Sequence, residues 1–86
     1  MKCEVRLSKR ALRELESLES ATKRRIMSKL EELGEEPFPR GAIKLQGRDG
    51  LYRVRVGDYR ILYEVLADKK MVLVEKIDHR SGIYGP

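Results

Sequence analysis

The sequence predicts an α+β fold in the order β-α-α-β-β-β, with a helical hairpin packed on one face of a mainly antiparallel four-stranded sheet. Three observations predict it. Residues 2–7 alternate between apolar and charged side chains, residues 8–34 carry apolar side chains at helical spacing, and strand-like alternation returns from Ile43 onward. A chain of 86 residues can build one modest core, and we assign residues 1–86 to a single domain.

The first strand and the two helices are predicted within the first 34 residues. Strict alternation makes residues 2–7 a half-buried strand. Ser8 is a favourable N-cap for the first helix, and the interruption at residues 20–22 supplies a cap for the second. Gly34 is placed to end that helix as its C-terminal glycine. The short link between the helices favours an antiparallel hairpin.

The second half of the chain is predicted to be strands joined by turns. Gly57-Asp58, between two alternating segments, is typical of a two-residue hairpin loop with a primed turn. The predicted elements are a loop at 35–42, a strand from Ile43 to about Val56 with a turn at 46–50 near its start, a strand at 59–65, a turn at 66–70 and a strand at 71–79.

Three arginines lie within the most strand-like segment, LYRVRVGDYRILYEV, at residues 51–65. The predicted hairpin places Arg55 opposite Arg60 and Arg53 opposite Leu62, and opposed residues share a face. The three arginines therefore converge on the side of the sheet away from the helices. The apolar face of the same hairpin is formed by Tyr52, Val54, Val56, Tyr59, Ile61, Tyr63 and Val65.

This arginine cluster indicates an anionic ligand. Opposed like charges weaken a sheet, whereas a guanidinium matches phosphate oxygens bidentately. Residues 40–64 hold six Lys and Arg against three acids, while residues 1–36 hold nine against eight. The excess predicts a nucleic acid or an acidic protein as partner. The alternative is a solvated face whose arginines pair with acids near in sequence, namely Glu64, Asp49 or Asp58.

The closing segment IDHRSGIYGP adds side chains suited to phosphate transfer. His79 is titratable, Arg80 is a further phosphate ligand, and Tyr84 is a phenol that acts as a base if its pKa is lowered. A structural role for His79, and a packing role for Tyr84 beside Ile83, are equally open at this point. No Cys/His or carboxylate cluster has metal-ligand spacing, so we expect neither metal nor cofactor.

Composition narrows the class of protein further. No run of 18 apolar residues is present, and the N-terminus lacks the apolar centre of a secretory signal. Cys3 is the single cysteine and alternates with apolar residues, so we expect a buried strand cysteine in a reducing cytoplasm. The absence of Asn, a single Gln and 38% charged residues favour a thermophilic source.

The chain resembles the RelE toxins of type II toxin–antitoxin systems, in particular the short archaeal members. The resemblance is carried by KLQG at 44–47, by residues 51–65, and by IDHRSGIY at 77–84. It implies a ribosome-dependent endoribonuclease that cleaves messenger RNA in the ribosomal A site, with the ribose 2′-OH as nucleophile and no metal. It also implies a cognate small antitoxin, RelB-like, that wraps the toxin in a hetero-oligomer.

The resemblance also implies roles for individual residues. Arg60, Arg80 and Tyr84 match catalytic positions, with Tyr84 as the proposed base, and His79 or a ribosomal group is the candidate donor of a proton to the leaving 5′-oxygen. Arg53 and Arg55 match the two basic residues of the second strand of the family, and together with Lys44 they are predicted to bind the substrate phosphate. Well-characterised bacterial members have Lys where this chain has Arg at 53 and 55. Arginine does not readily release a proton, so these two are expected to hold phosphate rather than to donate protons.

Two alternatives to the nuclease remain. The first is a ParE-type toxin of the same fold that binds DNA gyrase without nuclease chemistry. Gyrase-directed relatives generally lack the combination of the three hairpin arginines with Arg80 and Tyr84. The second is a non-catalytic RNA-binding module, in which the arginines hold phosphates and no strand is cut.

Overall fold

The computed structural model describes residues 1–79, which form two helices packed on one face of a mixed sheet. The strands lie in the order β1-β5-β4-β3-β2, with β1 parallel to β5 and all other neighbours antiparallel. The elements are β1 (Glu4–Leu7), α1 (Lys9–Glu16), α2 (Ser20–Glu35), β2 (Ile43–Lys44), β3 (Leu51–Val56), β4 (Tyr59–Leu66), a short 3₁₀ turn (Ala67–Lys69) and β5 (Met71–His79).

The predicted fold class and element order are confirmed, with one difference in strand number. The described residues form five strands rather than four, because the predicted strand from Ile43 to Val56 is a hairpin of β2 and β3. The Leu45 N–H donates to the Leu51 carbonyl at 2.9 Å and closes the loop between them. Gly47 and Gly50 have φ of 91° and 79°, which lets the chain reverse there.

The hydrophobic core lies between the two helices and the sheet. Tyr63 is fully buried in it, and its hydroxyl donates a hydrogen bond of 2.8 Å to the Pro37 carbonyl in the loop after α2. Burial of a large aromatic ring with its hydroxyl satisfied anchors that loop to the centre of the sheet. The buried cluster is Ala11, Leu15, Ile26, Leu30, Leu33, Val54, Ile61, Tyr63, Val65, Val72, Val74 and Ile77.

The helix ends agree with the sequence at the start of α1 but not at the end of α2. Ser8 caps α1, since its hydroxyl accepts from the Ala11 N–H at 3.0 Å. The prediction that Gly34 ends α2 is wrong, because the helix continues to Glu35. Gly34 instead allows β1 to approach, since a methyl group there would lie 3.1 Å from Val5 Cγ2.

Within residues 1–79 no helix is long and apolar enough to cross a membrane.

Candidate functional site

The β3–β4 hairpin has the predicted register. Val56 pairs with Tyr59, Arg55 with Arg60, and Arg53 with Leu62, on either side of the Gly57-Asp58 turn. Gly57 has φ of 59°, as the first position of a primed turn requires. Arg53, Arg55 and Arg60 therefore share the side of the sheet that is opposite the helices, and we call these three residues the arginine face.

The three arginines differ in their exposure. Arg55 is exposed and its Nε donates to the Gly57 carbonyl at 3.1 Å, so its side chain is held against the turn. Arg53 is half-buried, whereas Arg60 is only 9% exposed. A long side chain at the centre of a sheet can bury its aliphatic stem along neighbouring residues. Arg60 is thus the fixed centre of the arginine face, with Arg55 as its exposed neighbour.

Asp78 on β5 pairs directly with Arg60 on β4, so the two residues lie on the same face of the sheet. One of its carboxylate oxygens accepts from the His79 N–H at 2.9 Å, and the other is 3.6 Å from the Lys76 ammonium. The row across β3, β4 and β5 is therefore Arg55, Arg60 and Asp78. Asp78 is not among the site residues predicted from the sequence.

A β-bulge in β5 explains why Asp78 was missed. Leu62 pairs with Lys76 but Tyr63 pairs with Val74, so Glu75 is the additional residue on β5. Strict alternation from Val74 would have placed residues 76 and 78 towards the helices. The bulge reverses the alternation of side chains between the two faces, so Asp78 lies on the arginine face instead. The one signal in the sequence is the apolar spacing, which changes from two residues to three before Ile77.

Arg48, in the loop between β2 and β3, forms an ionic cluster on the same side of the sheet. Its guanidinium lies 3.2 Å from Glu64 Oε1 on β4 and also contacts Glu75 Oε2 at the bulge. The hydrogen bond to Glu75 is the main cause that raises the pKa of Arg48. Three acids, Glu64, Glu75 and Asp78, therefore lie on the same side of the sheet as the arginines, with Arg48 and Lys76 as additional cations.

Two predicted site residues lie away from the arginine face. Lys44 pairs with Tyr52, so it is on the helix side of β2, and it is Ile43 that shares the face of Arg53. His79 pairs with Tyr59, and its ring packs edge-on against the Tyr59 ring with centroids 5.4 Å apart. His79 is thus on the opposite side of β5 from Asp78. The structure does not bring Lys44 or His79 together with the arginines.

Arg80 and Tyr84 lie outside the described residues, so their predicted roles remain predictions. Among residues 1–79 no three His, Cys, Asp or Glu side chains are grouped to hold a metal ion.

Comparison with known proteins relates the chain to bacterial and archaeal toxins. The family described as "ParE toxin of type II toxin-antitoxin system, parDE" matches residues 5–84. A candidate toxin named RelE1 from Methanocaldococcus jannaschii is 34% identical over 87 residues, which cover 98% of this chain and 97% of the relative.

Two solved structures extend this similarity to the fold. The toxin in the RelE–RelB complex of Pyrococcus horikoshii OT3 superimposes with a TM-score of 0.83 at 36% identity, covering 93% of this chain and 97% of that one. The isolated RelE toxin of E. coli superimposes with a TM-score of 0.80 at 28% identity, and the match covers 90% of this chain and 83% of that one.

Proposed function

Since the chain belongs to the RelE/ParE superfamily of type II toxin–antitoxin toxins, we propose that it is a ribosome-dependent endoribonuclease that cleaves messenger RNA in the A site. The observation that carries this proposal is the arginine face. Arg55 and Arg60 are directly opposed there, and Arg53 lies two residues from Arg55 along β3. Stability alone would not favour such a cluster, whereas a phosphate between the guanidinium groups would relieve their repulsion.

The chemistry we propose uses the RNA as its own nucleophile. The 2′-OH loses its proton to the phenolate form of Tyr84, and the resulting oxyanion attacks the adjacent 3′-phosphorus. The bond to the 5′-oxygen of the next nucleotide breaks, and that oxygen leaves with a proton, so the products are a 2′,3′-cyclic phosphate and a free 5′-OH. Arg60 and Arg55, together with Arg80, would stabilise the extra negative charge of the phosphorane, an effect worth several kcal/mol in catalysis.

The roles of the remaining candidates are unequal. Arg53 lies on the arginine face and fits a second phosphate position along the strand. Lys44 would have to reach the RNA from the β2 edge, and His79 would have to protonate the leaving oxygen from the far side of β5. We therefore place the arginines first among the phosphate ligands, and we regard a ribosomal group as an alternative proton donor to His79.

The proposed partner is a small antitoxin. The Pyrococcus horikoshii structure is a RelE–RelB complex, as are structures from E. coli and Methanococcus jannaschii. By this similarity, a RelB-like protein would bind this chain in a hetero-oligomer and cover its basic face. An acidic, amphipathic antitoxin would offset the repulsion among the arginines. Both partners would act in the cytoplasm, where the ribosomes are.

The second candidate function is gyrase inhibition, because the family that matches residues 5–84 is described by its ParE toxins. A translation reaction with purified protein, followed by primer extension on the message, separates the nuclease from the other two possibilities, and a gyrase supercoiling assay and an RNA gel-shift assay separate those two from each other. The nuclease predicts new 5′ ends at codons in the A site. A ParE-type toxin predicts an intact message and inhibited supercoiling by gyrase. A binding module predicts that the RNA is retarded in a gel, while the message stays intact and gyrase stays active.

A further inference from the structure

Arg48 connects the β2–β3 loop to two acidic side chains at the border of the arginine face. Its guanidinium contacts Glu64 on β4 and Glu75 at the bulge of β5. The Arg48 side chain is 49% exposed, whereas those of Glu64 and Glu75 are 23% and 24% exposed. Arg48 is thus the solvent-facing member of the cluster.

The two carboxylates are close enough to affect a phosphate on the arginine face. Arg53 pairs with Leu62, and Glu64 is two residues further along β4, so Arg53 and Glu64 are diagonal neighbours on one face. Such neighbours are about 7–8 Å apart, within reach of long side chains. Two unshielded carboxylates here would repel a phosphate at Arg53, and Arg48 reduces their combined charge from −2 to −1.

The backbone of the loop holds Arg48 in position for this contact. The Leu45 N–H donates to the Leu51 carbonyl at 2.9 Å at the base of the loop. The Val65 N–H donates to the Gly50 carbonyl at 2.8 Å and ties the far end of the loop to β4. An ion pair that starts from a fixed backbone loses less conformational entropy than one between two mobile surface side chains.

We propose that Arg48 is a positioning residue for RNA binding, which shields Glu64 and Glu75 so that the adjacent arginine face can accept phosphate. This inference rests on the proposed function only in taking RNA as the ligand, and it does not require that the RNA is cut. Arg48 acts through the two acids and not by contact with the reacting phosphate.

The test is the affinity of a labelled single-stranded RNA oligonucleotide at low salt, measured for folded variants with matched melting temperatures. Arg48→Ala should weaken binding about three- to tenfold, since the net charge of this cluster near the phosphate then changes from −1 to −2. Arg24→Ala, which removes an equal charge from the exposed surface of α2, should change affinity less than twofold. Arg53→Ala should also weaken binding, because the phosphate lies at this face.

The decisive variant is Arg48→Ala combined with Glu64→Gln and Glu75→Gln. It lacks the same ion pairs as Arg48→Ala but carries no unshielded carboxylates, so binding should return at least to the wild-type value. If the triple variant stays within twofold of Arg48→Ala, Arg48 is either a structural residue or a direct ligand, and the inference is overturned. It is overturned as well if Arg53→Ala binds like wild type. A wild type that binds RNA but leaves messages uncut on ribosomes contradicts the nuclease and not the role of Arg48.

Discussion

Arg55 on β3 and Arg60 on β4 lie directly opposite each other, on the side of the sheet that is opposite the helices. An opposed pair of like charges destabilises a sheet by a few tenths of a kcal/mol or more. Asp78 lies on the other side of Arg60, so the negative charge in this row is at β5 and not between the two arginines. The space above the Arg55–Arg60 pair is where we place the substrate phosphate.

The buried hydroxyl of Tyr63 should contribute measurably to stability. It donates to the Pro37 carbonyl at 2.8 Å in a part of the core with no exposure. Tyr63→Phe keeps the ring but removes the donor, so the free energy of unfolding should fall by about 1–2 kcal/mol. Urea denaturation of the two proteins at pH 7 measures this difference in the free energy of unfolding. An unchanged midpoint would mean that the loop after α2 is not held by this bond.

The same residue predicts a loss of stability at high pH. Burial, followed by the nearby Tyr52 and Glu36, raises the pKa of Tyr63 to about 12, against an ordinary value of 10. Between these values the unfolded chain releases the proton while the folded protein retains it, so stability falls as pH rises from 10 to 12. The loss approaches about 2–3 kcal/mol above the folded pKa.

Tyr63→Phe lacks this titration and serves as the control for it. Its stability deficit relative to wild type should shrink as pH rises through the window from 10 to 12. Denaturation curves of the two proteins that shift in parallel with pH would show that Tyr63 ionises equally in the folded and unfolded chains.

Gly50 and Gly47 provide a matched test of the loop that presents Arg48. Both have positive φ, at 79° and 91°, so an alanine at either position strains the backbone by about 1–2 kcal/mol. A methyl group at Gly50 would also lie 2.9 Å from the Val65 carbonyl oxygen, whereas one at Gly47 has no atom within 4 Å. Gly50→Ala should therefore lower the unfolding free energy by at least about 1 kcal/mol more than Gly47→Ala. If the two variants lose the same stability in thermal denaturation, the loop can move enough to relieve the close contact between residue 50 and the Val65 carbonyl.

The features predicted well from the sequence are those fixed by local patterns. Gly57-Asp58 sets the register of its hairpin, and alternation then assigns every residue from Tyr52 to Val65 to a face. The face of Asp78 could not be predicted in this way, because the bulge at Glu75 reverses the alternation without a glycine or proline to mark it. The bridge from Arg48 to two different strands depends on the folded loop, which no spacing in the sequence encodes.

At Gly34 and at the β2–β3 hairpin the structure differs from the sequence-based prediction for related reasons. A glycine near the end of a helical pattern usually stops the helix, but here the approach of β1 requires it within α2. The turn at residues 46–50 was identified, yet β2 is only two residues long and gives almost no alternation to detect. In both cases contacts between distant segments outweigh the local pattern.

Tyr84 is predicted to act as the general base. Tyr84→Phe removes the ionisable oxygen and keeps the ring, so single-turnover cleavage on ribosomes should slow by about a hundred- to ten-thousand-fold. Ribosome binding, measured by sedimentation, should change little. His79→Ala is the companion variant, and it should have the smaller effect because His79 packs against Tyr59 on the other side of β5. Wild-type cleavage by Tyr84→Phe with an inactive His79→Ala would reverse the two roles.

The rate of messenger cleavage on ribosomes by Arg60→Met tests most directly whether the arginine face is the substrate-phosphate site. Methionine retains an apolar stem at this buried position and removes the guanidinium, so the variant should fold. We predict cleavage at least about a hundred times slower than wild type, while Arg24→Ala cleaves at the wild-type rate. Wild-type cleavage by folded Arg60→Met would show that the phosphate binds elsewhere.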